Sequence, residues 1–331
     1  MRSSILVAVG SVAACLALVV ACSDDSKPTI VPTADGGDAG GGAGDGGDAA
    51  PAALNGDAVA RAYCEKVAEC TIFVDVAYGS TAGCIAKLSP QINRDLGLPG
   101  ATATQADVDR CALAVKGAAC KDLLANRPPA DCKKPGTLAD GAACGANSQC
   151  KSTSCQLAAE GGNCGTCGGR RAAGATCVEN DDCQDGLVCN HQKKCAAVPK
   201  DGEDCSQTDC EIGLACFDGK CTPALAEGAT CSRVSESDAC NLAGKGLICV
   251  SGTCTKITIA KQSQACGVVS GKLAVCEKNG RCALGDGSAE GTCDAPLEPG
   301  AACDEAGGKK CADPAKCVGG KCTLRDPTTC K

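Results

Sequence analysis

Apolar positions fall into three regimes along the chain. Residues 5–20 are almost continuously apolar, after a single positive charge at Arg2. Between 55 and 135 the apolar positions recur at helical spacing. Val59, Tyr63, Val67 and Cys70 mark one face of DAVARAYCEKVAEC. A second, short helix is expected to start near Ser80 and to carry Cys84, Ile85 and Leu88. Thr104, with Asp107 three positions on, has the form of a capping box, and Val108, Cys111, Val115 and Ala119 then share a face. Pro128-Pro129 is expected to stop this third helix. Beyond 136 periodicity of either kind fades, and cysteine and glycine set the pattern.

That last regime repeats itself. GATCVENDDCQDGLVCNHQKKC carries Cys177, Cys183, Cys189 and Cys195; GEDCSQTDCEIGLACFDGKC carries Cys205, Cys210, Cys216 and Cys221. Further copies hold Cys231, Cys240, Cys249 and Cys254, and Cys303, Cys311, Cys317 and Cys322. A looser copy holds Cys266, Cys276, Cys282 and Cys293. The first, irregular one runs from Cys144 through Cys150, Cys155, Cys164 and Cys167. The common frame is Gly-x-x-Cys, a variable loop, Cys, Gly-Leu-x-Cys, a tight turn and Cys. Each of about six units is expected to be a two-stranded hairpin stapled by two disulfides, crossed first to third and second to fourth. Variable length between the first two cysteines fits a surface loop, where insertions cost little.

Composition strengthens this reading. The chain has 34 Cys in 331 residues and one His, His191. So high a count signals a disulfide or metal framework, and a lone His leaves little for mixed zinc sites. Aromatics are nearly absent (Tyr63, Phe73, Tyr78, Phe217, no Trp), so the usual large contributors to a core are missing. Cross-links can substitute: a closed loop of roughly 15 residues contributes about 3 kcal/mol. The fold class expected is therefore small disulfide-rich repeats over 136–331, preceded by a disulfide-stapled α-helical domain over 55–135. In that domain Cys64, Cys70, Cys84, Cys111, Cys120 and Cys132 make three bridges; of the fifteen possible pairings, Cys120 with Cys132 is favoured because the chain turns back after the prolines. Cys330 is also expected to be paired. Net charge is −7 with no basic stripe and no stacking platform, which disfavours nucleic acid as a partner.

Residues 1–21 have the form of a signal peptide. Val19-Val20-Ala21-Cys22 resembles the lipobox of bacterial lipoproteins. The resemblance implies a diacylglyceryl group on the Cys22 thiol and acylation of its freed amine, hence firm membrane attachment. Val12-Ala13-Ala14-Cys15 fits the same motif, but the apolar run continues to Val20 and turns polar only at Ser23-Asp24-Asp25. Placing lipid on Cys22 and losing Cys15 with the signal also leaves 32 of the 34 cysteines, an even number. By the same resemblance Ser23 implies the outer membrane or cell surface, the periplasmic face of the inner membrane being the alternative. Residues 22–54, with Asp35-Gly36-Gly37-Asp38 and more of the same through Asp48, read as a flexible tether. They lack the apolar position of calcium-binding nonapeptides.

The repeats, with the opening GTLADGAACGANSQCKSTSC and CGTCGG, resemble the Dickkopf N-terminal cysteine-rich pattern and EB-module-like repeats of bacterial cysteine-rich lipoproteins. That resemblance implies a protein-binding module. Chemistry is sparse. Cys164-Gly165-Thr166-Cys167 has the spacing of a thiol-exchange motif, but Gly168-Gly169-Arg170-Arg171 is a poor helix start, and structural cysteines with other partners are favoured. His191 reads as a solvated loop residue. Carboxylates are scattered, and no Gly-rich loop follows a strand. No catalytic residue, metal or cofactor is expected. The function expected is a non-enzymatic envelope lipoprotein, attached to membrane by its lipid, whose array binds an envelope or extracellular protein or spaces a surface layer. An extracytoplasmic protease inhibitor or an envelope enzyme is the alternative.

Overall fold

In a computed structural model of the chain, the described residues are 53–330 apart from 160–161, 235–236, 286–287 and 306. Cys22, Cys15, the segment read as a signal peptide and most of the segment read as a tether lie outside the described residues. The fold is disulfide-rich, with small antiparallel strand pairs and few helices.

Five helices come first: α1 (Asp57–Cys70), α2 (Phe73–Tyr78), α3 (Thr81–Leu96), α4 (Gln105–Gly117) and α5 (Cys120–Leu124). The Ser80 hydroxyl caps α3 by accepting from the Gly83 amide. Thr104 and Asp107 form the full capping box of α4. Three sequence expectations need correcting here. Helix α2 was not foreseen: six residues of FVDVAY are too short to show a period, and its formation rests on burying Phe73, Val74, Ala77 and Tyr78. Helix α3 continues through Pro90 to Leu96, because burial of Gln91, Ile92 and Asp95 beyond the proline outweighs the lost backbone bond. Helix α4 ends at Gly117, well before Pro128, with Ala118 and Ala119 extended so that α5 can begin at Cys120.

These helices share an apolar core of Ala60, Val67, Phe73, Val74, Tyr78, Leu88 and Ile92, with a second cluster of Ala62, Ala112, Val115 and Leu123. Phe73 and Tyr78 meet edge to face, centroids 6.4 Å apart. Cys64–Cys84 ties α1 to α3, Cys70–Cys120 ties α1 to α5, and Cys111–Cys132 ties α4 to the following turn. The favoured Cys120–Cys132 pair is thus not made: Cys120 opens α5, where it faces the end of α1.

Six cysteine-rich units follow. Unit one has β1 (Ala143–Cys144), β2 (Cys155–Leu157) and β3 (Gly165–Cys167) in the order β1-β3-β2. Unit two is the hairpin β4 (Leu187–Cys189) and β5 (Cys195–Ala197), and unit three is β6 (Leu214–Phe217) and β7 (Lys220–Pro223). Unit four has β8 (Arg233–Val234), β9 (Ser237–Asp238), the short α6 (Leu242–Lys245) and the hairpin β10 (Leu247–Val250) and β11 (Thr253–Lys256). Unit five departs from the simple hairpin. Its strands β12 (Thr258–Ala260), β13 (Ala265–Val269), β14 (Lys272–Cys276), β15 (Cys282–Leu284) and β16 (Glu290–Cys293) form one sheet, in which β12 pairs parallel to β14. Unit six is β17 (Lys316–Val318) and β18 (Lys321–Thr323).

One device recurs in all six units. The residue three before the first cysteine has positive φ and donates its amide to the carbonyl of the last cysteine: Gly141 to Cys167, Gly174 to Cys195, Gly202 to Cys221, Gly228 to Cys254, Ser263 to Cys293 and Gly300 to Cys322. This is why the signature opens on Gly, which adopts that backbone at least cost; unit five bears the strain on Ser263, φ 64°.

Candidate functional site

The disulfides decide what the cysteines can do. In each hairpin the third and fourth cysteines stand directly opposite, as in Cys189↔Cys195, Cys216↔Cys221, Cys249↔Cys254, Cys282↔Cys293 and Cys317↔Cys322. Opposed residues point to the same face of a strand pair, toward the loop that carries the first two cysteines. Two bridges therefore lie side by side and crossed: Cys177–Cys189 with Cys183–Cys195, Cys205–Cys216 with Cys210–Cys221, Cys231–Cys249 with Cys240–Cys254, Cys266–Cys282 with Cys276–Cys293, and Cys303–Cys317 with Cys311–Cys322. Unit one obeys the same frame once Cys164 is set aside, with Cys144–Cys155 and Cys150–Cys167. Close sulfur triplets such as Cys177, Cys183 and Cys195 follow from this crossing, and every one of those sulfurs is already bonded.

The extra cysteine closes the structure. Cys164 pairs with Cys330 across 166 positions of sequence. The Cys-x-x-Cys spacing thus joins two cysteines with different partners, Cys150 and Cys330. Around this bridge the C-terminal tail lies on unit one: Arg325 donates to the carbonyls of Gly145 and Asn163, and the Asp326 amide donates to Asn163 Oδ1 at 3.0 Å. Gly145 is small because Pro327 fills the space a Cβ would take.

Between these ends the units pass around the helices. Ser148 Oγ of unit one donates to the Asp95 carbonyl at 2.9 Å, and Gln149 Nε2 to the Pro99 carbonyl at 2.8 Å. Asn126, after α5, donates to the Asn180 and Leu187 carbonyls of unit two, and Lys133 pairs with Asp185. Thr71 Oγ1 donates to the Ala243 carbonyl of unit four. Gly79, φ 75°, packs under Glu277 of unit five, and Lys87 Nζ lies 3.2 Å from Glu298 of unit six. His191, expected to be solvated, is exposed but sits at the junction of units two and three: its amide donates to the Gln207 carbonyl and its Nε2 lies 3.8 Å from Asp209 Oδ1.

Inside this belt, between the helices and the first two units, lies a cleft of about 210 Å³. Val59, Tyr63, Leu88, Ile92 and Val108 supply an apolar floor from α1, α3 and α4; Asn147, Asp181, Arg170 and the tail residue Arg325 supply the opposite wall. Four of its acids, Asp95, Asp107, Asp181 and Asp182, are buried. Burial pushes the Asp95 carboxyl up to about 7, against the opposing pull of Arg94 and Arg325. Burial likewise pushes Asp181 up to about 7, against Arg170 and a hydrogen bond from Asn147 Nδ2 at 2.9 Å. Asp107 behaves oppositely: bonds from the Thr104 hydroxyl and amide, helped by Lys134, hold it well below the usual carboxylate range. Among the described residues no helix is long and apolar enough to cross a membrane.

Sequence reasoning did not single out this cleft. Asp95 had a signal, since Leu88, Gln91, Ile92 and Asp95 share one buried face of α3. Asp181 had none, because Glu179-Asn180-Asp181-Asp182 reads as a solvated turn. No family model, curated protein or solved structure matches the chain.

Proposed function

We propose that the chain is a non-enzymatic lipoprotein of the bacterial envelope, attached through acylated Cys22 and presenting a closed belt of cysteine-rich units to a protein partner. Six repeats of one disulfide frame, related to the Dickkopf-like and EB-like pattern, and a preceding helical domain would form a single scaffold. The observation that carries this reading is the pairing of all 32 cysteines from Cys64 to Cys330, which suits an oxidising compartment. Residues 1–22 supply the matching export and acylation signal. Binding is preferred to spacing because a belt that returns on its own first unit gains no reach from added repeats. Its variable loops between first and second cysteines would form the contact surface.

Metabolic labelling with an alkyne fatty acid tests the anchor. Label on the wild type that disappears in Cys22→Ser and persists in Cys15→Ser is expected; label retained in Cys22→Ser would sink the proposal. Photo-crosslinking from Ser206 and Glu305, exposed in two of those loops, is expected to capture one recurring protein on intact cells. A smear without a recurring band would remove the binding role.

A further inference from the structure

We propose that the cleft between α3 and the first two cysteine-rich units is a binding site for a small organic ammonium ion with an apolar body, held by the Asp95 carboxylate. The size of the cleft sets the class. Drug-sized ligands occupy pockets of about 300–1,000 Å³, whereas a dry cavity of about 150 Å³ accepts a single benzene ring. At about 210 Å³ this cleft suits one ring or a short alkyl chain with a small head. Its floor of Val59, Leu88, Ile92 and Val108 would take the apolar body.

The sign of the head group follows from which polar atoms are already engaged. Asp95 is 8 % exposed, and its Oδ1 has no hydrogen-bond partner. Arg94 Nε forms an ion pair with that oxygen at 3.9 Å, but lies beyond hydrogen-bond distance. A buried carboxylate oxygen left this way is costly, and a ligand N–H would satisfy it. The basic groups of the lining have partners of their own. Lys133 and Arg170 pair with Asp185, Lys134 with Asp107, and Arg325 with two backbone carbonyls. Six acidic side chains line the cleft against four basic ones, so the balance also favours a cation.

Protons report on the same contact. An ammonium beside Asp95 stabilises the ionised carboxylate, which burial otherwise pushes up to about 7 against Arg94 and Arg325. Binding at pH 7 therefore releases a fraction of a proton, and affinity rises between pH 6 and pH 8.

Calorimetric titration of the full chain in nanodiscs, with protein-free nanodiscs as blank, tests this. The probes are n-hexylammonium and phenethylammonium, with n-hexanol and hexanoate as neutral and anionic counterparts. Saturable binding of both cations is expected, with hexanoate silent. Asp95→Asn is expected to weaken hexylammonium binding about tenfold or more while leaving hexanol unchanged, as loss of a charge-assisted hydrogen bond predicts. Proton release is read on the wild type alone by repeating the titration in phosphate and Tris, so a poorly folding variant does not decide the matter. Hexanoate binding as well as hexylammonium, unchanged affinity in Asp95→Asn, or no proton release at pH 7 would each overturn the site.

Discussion

The helical region and the belt around it solve one problem by opposite means. The helices bury Val67, Phe73, Val74, Leu88 and Ile92 against one another and use three disulfides. In the units, the buried clusters consist largely of the cysteines themselves: Cys177, Cys183 and Cys195 in unit two, and Cys144, Cys150, Cys155 and Cys167 in unit one. Strands of two to five residues cannot bury enough apolar area to offset the entropy of ordering the chain. Crossed bridges lower that entropy in the unfolded chain instead. A sequence poor in large apolar residues thus keeps its few for one hub and cross-links the rest.

Reduction should break this comparison most visibly. With excess reductant the belt is expected to lose its order, while part of the helical far-ultraviolet signal survives on the apolar core. Simultaneous and complete loss of both signals would show that the helices, too, stand on their bridges. Next in size is Leu88→Ala, which removes a fully buried side chain from the hub and is expected to cost about 3 kcal/mol in denaturant unfolding. The same truncation at Leu187, only half-buried beside the bridges of unit two, is expected to cost less than about 1 kcal/mol.

Removing the closing bridge with Cys164→Ser and Cys330→Ser comes third. An open loop of 166 residues would be worth about 5 kcal/mol. Ten other bridges already shorten the path between those two cysteines, so a loss of about 2 kcal/mol is expected from thermal unfolding. A loss near the full value would mean that the belt is held shut by nothing else.

The comparison can also be probed through pH. Asp95 and Asp181 titrate near 7 when folded, well above the unfolded carboxylate value, so the folded state holds protons that the unfolded state has released. Their contribution is complete below about pH 4 and is lost as pH rises toward 7. Asp107 has the opposite sign: its contribution is present above the unfolded value and lost in stronger acid. Denaturation midpoints at pH 5 and pH 8 should therefore differ in favour of pH 5, and Asp95→Asn should narrow the gap. An unchanged gap would place the titration elsewhere.

Much of this architecture was legible. The capping box at Thr104 and the Gly-x-x-Cys frame come from local chemistry that spacing displays, and the crossed order within a unit is as expected, although spacing does not choose it among the three pairings of four cysteines. What escaped depends on contacts far apart in sequence. Helix α2 exists because α3 and unit five cover it, and α3 outlasts Pro90 because its far end is buried. The parallel β12–β14 pair and the buried state of Asp181 leave no local trace. Cys164 and Cys330 were legible only by subtraction, as the two cysteines that the four-cysteine frame leaves over.

That leftover pair gives the molecule an unusual response to proteases. A cut in any connection between units, at Lys200 or Glu227 for instance, opens a loop whose two ends remain covalently joined through Cys164 and Cys330. One cleavage there yields no fragment, and a whole unit is shed only when the chain is severed on both sides of it. Exposed to hydrolytic enzymes, the belt would tolerate a first nick and keep its covalent link to the N-terminal segment.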